Sequence, residues 1–380
     1  MPVPLPSGSQ PASAQPASLS PVPPVDLFPV DVAADLVDAV LPADLLDVLG
    51  GVPLLALELT DTASPGMTAA LERLVRARPP VVIVGVIDGG KLPTGLAVGA
   101  PDVLLTAGPG EIVTVAAREG TPGAVEVDDV GAALASLTAK VRANPRAAVT
   151  LAGLLRLTTG LSPLDGLVAE SLAYSTLLAG PEFAAWLARR GPMRHRDSAE
   201  PVRVRRVGGH LRLTLNRPEV RNAYDTATRD ALVAALRAAR SDRGVTEVVL
   251  DAAGPAFGSG GDLSQFGTAP DPATAHTVRV GASAAAEIVR FPGRVSAHVH
   301  GACVGAGMEL PAFADHVVAS RDAVFALPEL AMGLVPGAGG TVSITRRVGA
   351  SRTAWLALTG APLDAVTAVR WGLVDELVEA

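Results

Sequence analysis

The stretch His300-Gly-Ala-Cys-Val-Gly-Ala-Gly-Met-Glu309 follows residues Val295 to Val299, which predict a strand. Its glycines predict a tight turn, and the residues beyond the turn predict the start of a helix. No large side chain covers the backbone N–H groups at this junction, and the first turn of a helix adds partial positive charge. The N–H of Ala306 is therefore expected to bind a negatively charged oxygen.

A second junction of the same kind lies upstream, in Gly254-Pro-Ala-Phe-Gly-Ser-Gly-Gly-Asp262, where Gly260 and Gly261 predict a turn. Asp262 is expected to cap the short helix that follows, because aspartate is a preferred N-cap residue. Two such junctions that converge on one carbonyl oxygen would form an oxyanion hole, which can stabilise the enolate of a thioester. Each junction alone is weak evidence for this kind of site.

Two glutamates accompany these junctions. Glu309 lies three residues after Ala306, so on a helix it points to the same side as the Ala306 N–H. Glu329 follows Pro328 among apolar residues, which raise the pKa of a carboxyl group, and a second carboxylate nearby raises it further. Two such acids can act as a general acid and a general base. The alternative is structural, with Glu309 a buried, hydrogen-bonded helix residue and Glu329 an acid at a helix terminus.

The composition indicates a globular protein that binds small molecules. Of the 380 residues, 49% are hydrophobic, and 31 basic against 38 acidic side chains give a net charge of −7. No run of basic residues suggests binding to nucleic acid or to an anionic membrane, and the single cysteine, Cys303, excludes an internal disulfide. Residues 1–24, rich in Pro, Ser, Ala and Gln, predict a disordered lead-in rather than a signal peptide. With no apolar run of membrane-spanning length, the protein is predicted to be cytoplasmic.

The sequence pattern divides the chain into two halves joined by a polar, Arg-rich linker, residues 190–201. Residues 25–196 alternate apolar strand-like runs with helices, and only helices are predicted from residue 145 to residue 190. In residues 202–380 a two-strand hairpin precedes repeated strand, turn and helix patterns, including one helix from Pro272 to Arg290. The predicted fold class is therefore α/β.

The second half also carries motifs in the order and at the spacing of a known family. These motifs are Leu215-Asn-Arg-Pro218 with Arg221-Asn-Ala223, Ala256-Phe-Gly-Ser-Gly-Gly-Asp-Leu263, His300-Gly-Ala-Cys-Val-Gly-Ala-Gly-Met-Glu-Leu310, Leu327-Pro-Glu329 and Leu334-Val-Pro-Gly-Ala-Gly-Gly-Thr341. By these motifs, residues 202–376 resemble the crotonase (enoyl-CoA hydratase/isomerase) superfamily along their whole length. The resemblance implies a crotonase-like superhelix of repeated ββα units as the catalytic core, residues 202–380, and a coenzyme A thioester as substrate.

The resemblance also implies a site and a reaction. The N–H groups of Gly261 and Ala306 would form the oxyanion hole, and Glu309 and Glu329 would be the acid–base pair of a hydratase. One carboxylate would deprotonate water for syn addition to a 2-enoyl-CoA, while the other delivers a proton to C2. The substrate is expected along seven further residues: Gly258, Ser259, Gly260, Leu263, Gly305, Pro328 and Gly337. No metal or redox cofactor is implied, and a homo-oligomer, a trimer or a hexamer, is expected.

Two alternatives to hydration remain open. One is another crotonase-type reaction on an acyl-CoA, catalysed by an isomerase, decarboxylase, hydrolase or cofactor-free oxygenase. The other is a non-catalytic subunit that keeps the crotonase fold. Many relatives with other reactions keep only one of the two acids, so the presence of both Glu309 and Glu329 favours a hydratase.

The sequence departs from the family after its last strand. Family members continue into C-terminal helices that cover the active site, whereas this sequence ends at Ala380. Residues 142–193 resemble those helices. We therefore expect residues 25–196 to be a degenerate crotonase-like and helical region, without the two glutamates, whose helices cap the core. Its glycine-rich turn, Gly89-Gly-Lys-Leu-Pro-Thr-Gly95, carries no acid, which favours a scaffolding role.

Overall fold

The computed structural model describes residues 26–40, 44, 49–59, 65–87, 101–107 and 123–379. The predicted lead-in, residues 1–24, and the turn from Gly89 to Gly95 lie outside the described residues. Helices and three sheets alternate along the described part, which confirms the predicted α/β class. Within that part, no helix has both the length and the apolar character needed to cross a lipid bilayer.

The first half forms a five-stranded parallel sheet whose strands follow one another in sequence order. Its strands are β1 (Leu27–Pro29), β2 (Leu54–Leu59), β3 (Val82–Ile87), β4 (Val103–Ala107) and β5 (Val125–Val127), and helices α1 (Val30–Ala39) and α2 (Pro65–Ala77) pack on it. Side chains alternate between the two faces of a strand. Accordingly, Leu55 and Leu57 pack with α1 and α2, while Leu54 and Ala56 face the main core. Both faces are buried, which explains the continuous apolar runs of these strands.

Four helices follow the first sheet. They are α3 (Val130–Ala143), α4 (Pro145–Thr158), α5 (Pro163–Leu178) and α6 (Pro181–Arg190). Proline opens three of them, because the first helical position needs no N–H donor. Ser162 caps α5 by accepting a hydrogen bond from the Asp165 N–H. The prediction that residues 145–190 form only helices is confirmed.

The second half contains a six-stranded sheet and a four-stranded sheet. The six-stranded order is β15-β12-β10-β8-β7-β6, and the four-stranded order is β14-β13-β11-β9. The strands are β6 (Val202–Val207), β7 (His210–Leu215), β8 (Glu247–Ala252), β9 (Gly258–Ser259), β10 (Arg294–Val299), β11 (Ala302–Val304), β12 (His316–Ser320), β13 (Val324–Ala326), β14 (Leu363–Asp364) and β15 (Glu376–Val378). In each of the pairs β8–β9, β10–β11 and β12–β13, the first strand belongs to the six-stranded sheet and the second to the four-stranded sheet. This is the repeated unit that the sequence predicts.

Short helices connect these strand pairs. They are α7 (Thr226–Ser241), α8 (Pro272–Gly281), α9 (Ala284–Arg290), α10 (Ala306–Glu309), α11 (Gly340–Val348), α12 (Ala350–Thr359) and α13 (Ala365–Trp371), with 3-10 helices at Pro218–Val220, Leu263–Gln265, Pro311–Phe313 and Glu329–Met332. The single helix predicted from Pro272 to Arg290 is wrong. The helix ends at Gly281, and Ser283 caps a new one by accepting a hydrogen bond from the Ala286 N–H. A serine that bonds to the backbone in this way competes with helix continuation.

Helices of the first half lie over the second half. Helix α5 packs on α8, α9 and α11, so closely that a Cβ on Gly166 would be 2.8 Å from Val342 Cγ2. The Leu104 N–H of β4 donates to Ser351 Oγ of α12 at 2.8 Å. The first half therefore supplies the helices that cap the core. That residues 25–196 are themselves a degenerate crotonase-like region stays a prediction.

Candidate active site

The junction between β11 and α10 is shaped by Gly305. Its φ of +50° lies in the region that favours glycine, and a Cβ at this position would be 2.6 Å from Glu329 Oε1. Helix α10 begins at the next residue, Ala306, and the first N–H groups of a helix have no intrahelical acceptor. No backbone acceptor in the described part of the chain takes the Ala306 N–H. This N–H is therefore open to a ligand.

The second junction lies beside the first. A parallel bridge joins Gly261 to Tyr224, in which the Tyr224 N–H donates to Gly260 O at 2.8 Å and the Asp262 N–H donates to Tyr224 O at 2.9 Å. The bridge therefore uses neither the N–H nor the C=O of Gly261, whose N–H points away from Tyr224. Gly260 Cα would lie 3.3 Å from a Cβ on Gly305, so the two glycine turns touch.

Glu309 ends the short helix α10 and is buried, with 2% of its surface exposed. Its Oε2 accepts hydrogen bonds from the Ala338 N–H at 2.7 Å and from the Gly340 N–H at 2.8 Å. Burial raises the pKa of Glu309 to about 7, while these N–H donors oppose the rise. The carboxyl group is therefore held in a fixed place and titrates near neutral pH.

Glu329 opens a 3-10 helix just after Pro328 and is 8% exposed. Its Oε1 lies against Gly305, and its Oε2 is buried without a hydrogen-bond partner among the described residues. Burial raises the pKa of Glu329 well above its usual value, and the charge of Glu309 raises it further. This oxygen is therefore available for a hydrogen bond with a ligand or a water molecule.

A third acid, Glu170 of α5, joins this pair from the first half of the chain. Its Oε1 accepts from the Gly339 N–H at 2.7 Å, and its Oε2 accepts from the Thr341 N–H at 2.9 Å and from Thr341 Oγ1 at 2.7 Å. Burial and the charge of Glu309 raise the pKa of Glu170 to about 8. The N–H groups of residues 338 to 341 thus point alternately to Glu309 and to Glu170. Together the two acids clamp this loop.

Sequence reasoning missed Glu170 as a site residue. The available signal was an acid within the helical stretch that resembles the family's capping helices, in a segment that is otherwise mostly apolar. Such an acid has to face either solvent or a specific partner. Its partners lie 169 and 171 residues further along the chain, so no local pattern could identify them.

The buried acids of the described residues fall into two classes. Asp102 pairs with Arg156, Asp225 with Arg217, and Glu287 with three arginines, among them Arg237. The other three buried acids, Glu170, Glu309 and Glu329, have no cation within ion-pair distance in the described part. An unpaired buried carboxylate is costly. Three of them in one place mark a functional site rather than a packing feature.

The expected substrate-binding residues fall in different places. Gly258, Gly260 and Gly305 lie together at the touching turns, where a Cβ on Gly258 would be 3.0 Å from Gly307 Cα. Ser259 Oγ donates to Val220 O at 3.2 Å, and Leu263 is 37% exposed. The ligand contacts of these residues stay a prediction.

The two remaining expected residues lie elsewhere around the site. Pro328 lines a surface groove of about 660 Å³. Gly337 faces the capping helix α5, where a Cβ would be 2.4 Å from Tyr174 Cε2. The small size of Gly337 is therefore explained by packing against Tyr174.

One further cluster has the side chains of a metal site. His195 of the linker, Asp225 and Asp262 bring ligand atoms within 4.8 Å of one another. Arg217, however, lies 3.1 Å from both carboxylates and already supplies the positive charge. Asp262 also caps the 3-10 helix by accepting from the Ser264 N–H at 3.0 Å, as predicted. This cluster does not fit a metal ion and instead fastens the linker to the glycine-rich loop.

The second half of the chain is similar to known proteins. The family model described as Enoyl-CoA hydratase/isomerase matches residues 207–380. The chain is 37% identical over 167 residues to 2,3-dehydroadipyl-CoA hydratase of Escherichia coli (strain K12), a match that covers 44% of this chain and 65% of that protein. It is 35% identical over 181 residues to the protein named "Probable enoyl-CoA hydratase" of Rhizobium meliloti (strain 1021), covering 48% and 70%.

A solved structure, enoyl-CoA hydratase from Thermoplasma volcanium GSS1, is 32% identical with a TM-score of 0.45, and the match covers 48% of this chain and 73% of that one. The chain spans just under two thirds of the Escherichia coli relative's length, at 65%, and 70% of the Rhizobium meliloti relative's. Because the Rhizobium meliloti protein is 35% identical and 70% of its length is matched, the chain belongs to the enoyl-CoA hydratase/isomerase family.

Proposed function

We propose that this chain adds water across the double bond of a 2-enoyl-CoA thioester. One observation carries the proposal: Glu309 and Glu329 are buried without a cation partner among the described residues, beside the open N–H groups of Gly261 and Ala306. Hydration needs an acid, a base and a place for negative charge at the thioester oxygen. Membership of the family supports the same assignment.

The hydrogen bonds around the two acids favour distinct roles. Glu309 Oε2 receives two backbone N–H groups, which stabilise the ionised form, so Glu309 is the base. Glu329 Oε2 receives no donor from the described residues, and the charge of Glu309 raises the Glu329 pKa, so Glu329 keeps its proton and is the acid. Two neighbouring carboxyl groups thus differ in protonation, as an acid–base pair requires.

The reaction follows from these roles. Glu309 takes a proton from water as the water oxygen bonds to C3 of the substrate, and the double-bond electrons move onto the thioester oxygen. The N–H groups of Gly261 and Ala306 donate to this oxygen and stabilise the enolate. Glu329 then delivers its proton to C2, and the carbonyl group forms again. Proton exchange with solvent returns both acids to their starting states.

Glu170 acts in this scheme as a positioning residue. It holds the N–H groups of Gly339 and Thr341, while Glu309 is held by the alternate N–H groups of the same loop. Loss of Glu170 would let the loop move and with it the carboxylate of Glu309. A 1 Å displacement of a catalytic group can lower the rate about 100-fold.

The assembly and the location of the protein are also proposals. Family membership supports a homo-oligomer, which we expect to be a trimer or a hexamer, and a cytoplasmic protein without a resident metal or redox cofactor. Sedimentation of the purified protein measures the oligomeric state directly.

A hydration assay on 2-enoyl-CoA esters of varied chain length tests the function. Loss of the conjugated thioester absorbance, with a product heavier by one water, reports hydration, whereas an isomerase would leave the mass unchanged. Glu309→Gln and Glu329→Gln should each abolish most of the activity, while Glu72→Gln, an exposed glutamate on α2, should keep it. Equal rates for the wild type and both site variants would refute the assignment.

A further inference from the structure

A half-open cavity adjoins the three-glutamate site. Its volume is about 180 Å³, room for roughly six water-sized groups. One wall is formed by Glu170 and by the loop residues Gly337 to Gly339, next to the N–H groups that hold Glu309. Tyr224, which pairs with Gly261 in the parallel bridge, forms another part of the cavity wall. A chain bound at the proposed oxyanion donors could therefore extend into this cavity.

The side chain of Arg279, on α8, lines the same cavity. Its guanidinium group stacks on the Tyr174 ring at 4.3 Å from the ring centre. All of its hydrogen bonds use Nη1, which donates to Ser171 O at 3.4 Å, Ser171 Oγ at 3.1 Å and Ser175 Oγ at 3.1 Å. The Nε and Nη2 edge donates to none of the described residues. This edge has the fork geometry that binds a carboxylate with two hydrogen bonds.

Arg279 also differs from the other arginines of this cavity in its charge balance. Arg229 pairs with Asp230 at 2.8 Å, and Arg290 pairs with Glu287 at 3.2 Å. Arg279 has no acid within ion-pair distance among the described residues. Of the two acids that also line the cavity, Glu170 favours the Arg279 cation through its charge but is hydrogen-bonded to the loop, and Asp165 accepts from Ser162 Oγ at 2.6 Å. The cavity thus contains a half-buried cation that forms no ion pair with any described residue.

We propose that this cavity receives the distal end of the acyl group and that Arg279 binds a carboxylate there. The substrate class is then a short 2-enoyl-CoA whose acyl chain ends in a carboxylate. This inference rests on the proposed hydratase function, because it places the reacting double bond at Glu309 and Glu329. An acyl chain that ends in a methyl group would fill the cavity but leave Arg279 without an anion, so it binds less well.

The test compares two substrates that differ only at the far end, 2-hexenoyl-CoA and the same six-carbon chain with a carboxylate at C6. Wild-type kcat/KM should be at least about tenfold higher for the carboxylate substrate, since hydrogen bonds between charged groups are stronger than those between neutral groups. Arg279→Met should remove this preference through KM, so that the two substrates give kcat/KM values within about twofold of each other. Arg279→Lys, which keeps the positive charge but lacks the forked guanidinium group, should retain part of the preference.

Arg237→Gln is the matched control, because Arg237 lies on the neighbouring helix α7, pairs with Glu287 and does not line the cavity. It should keep the full preference, and thermal unfolding of each variant checks that the fold is intact. Equal kcat/KM for both substrates in wild type and in Arg279→Met would overturn the inference while the hydratase function stands.

If neither substrate is hydrated, the proposed function fails, and calorimetry on the two saturated six-carbon thioesters decides the inference separately. Tighter binding of the carboxylate thioester that Arg279→Met abolishes would support the anion site. Equal binding of both thioesters to wild type would overturn it.

Discussion

Two buried acidic regions of this molecule are built in opposite ways. At the start of β4, Asp102 receives the Arg156 guanidinium through Nε at 2.7 Å and Nη2 at 2.5 Å, and it also accepts the Ile83 N–H at 2.7 Å. In the site, Glu309 and Glu329 are equally buried but face no arginine among the described residues. Burial raises the carboxyl pKa in both regions, and only at Asp102 does a cation oppose the rise.

The presence or absence of a cation partner distinguishes a structural buried acid from a catalytic one. A buried carboxylate with a bidentate arginine is held ionised and joins parts of the fold, here β4 to α4. A buried carboxyl group without a cation has a pKa above its usual value and can exchange a proton. Substitutions in the first region should therefore change stability, and substitutions in the second should change activity.

The largest expected effect is on activity, in Glu309→Gln. Hydration should fall about 1,000-fold or more, because general base catalysis contributes about 100- to 10,000-fold and the amide cannot take the proton. Stability should stay the same or rise, since a buried unpaired charge is removed. Steady-state kinetics and denaturant unfolding measure the two quantities. A Glu309→Gln variant that is destabilised yet fully active would contradict the distinction between a structural Asp102 and a catalytic Glu309.

The reverse pattern is expected for Asp102→Asn. The amide leaves Arg156 without its anion, so the free energy of unfolding should fall by about 3 kcal/mol. The rate per folded molecule should not change, because the partners of Asp102 among the described residues, Arg156 and the Ile83 N–H, both lie in the first half and outside the site. Urea unfolding gives the stability, and a rate loss comparable to that of Glu309→Gln would contradict the assignment of Asp102 as structural.

Gly305→Ala should lower activity by about 100-fold. The methyl group meets Glu329 Oε1 at 2.6 Å and pushes the acid away from its position. Gly191→Ala is the control, because Gly191 also has a positive φ, +69°, but no atom within 4 Å of the new Cβ. If both variants lost activity equally, backbone strain alone would explain the result and Glu329 would not be involved.

The smallest expected effect is on the pH dependence of stability. Burial raises the pKa of Glu170 to about 8, so the folded protein binds a proton that the unfolded chain releases near pH 4.5. The contribution is complete below that pH and is lost as the pH rises through about 8, so the free energy of unfolding falls across this window. Glu170→Gln should flatten the decline by about 2 kcal/mol between pH 6 and pH 8. Parallel curves for wild type and variant would contradict the raised pKa.

Much of the fold was predictable from local patterns. The hairpin of β6 and β7 and the helix α5 lie where alternation, helical spacing and turn residues predict them. The break between α8 and α9 was missed, because a single serine cap outweighed a continuous helical pattern. Local patterns also indicate the two glycine turns and the two glutamates of the candidate site.

The environment of the site was not predictable in the same way. Glu170 meets its loop across 169 residues of sequence, and Arg279 approaches Ser171 across 108. No periodicity in the sequence connects positions so far apart. Whether an acid or an arginine is paired depends on which helix packs over it, and α5 comes from the other half of the chain.

By itself, the sequence determined the glycines whose backbone must bend at Gly260 and Gly305, the two carboxyl groups of Glu309 and Glu329, and the strand and helix pattern that carries them. Only the tertiary structure decided that these acids are buried without a cation partner among the described residues and that Glu170 clamps the loop beside Glu309. It also decided that Arg279 lines a cavity and that the Nε and Nη2 edge of its guanidinium group donates to none of the described residues. The reason is physical. Backbone conformation follows from neighbouring residues, whereas desolvation and charge pairing depend on every group that packing brings near.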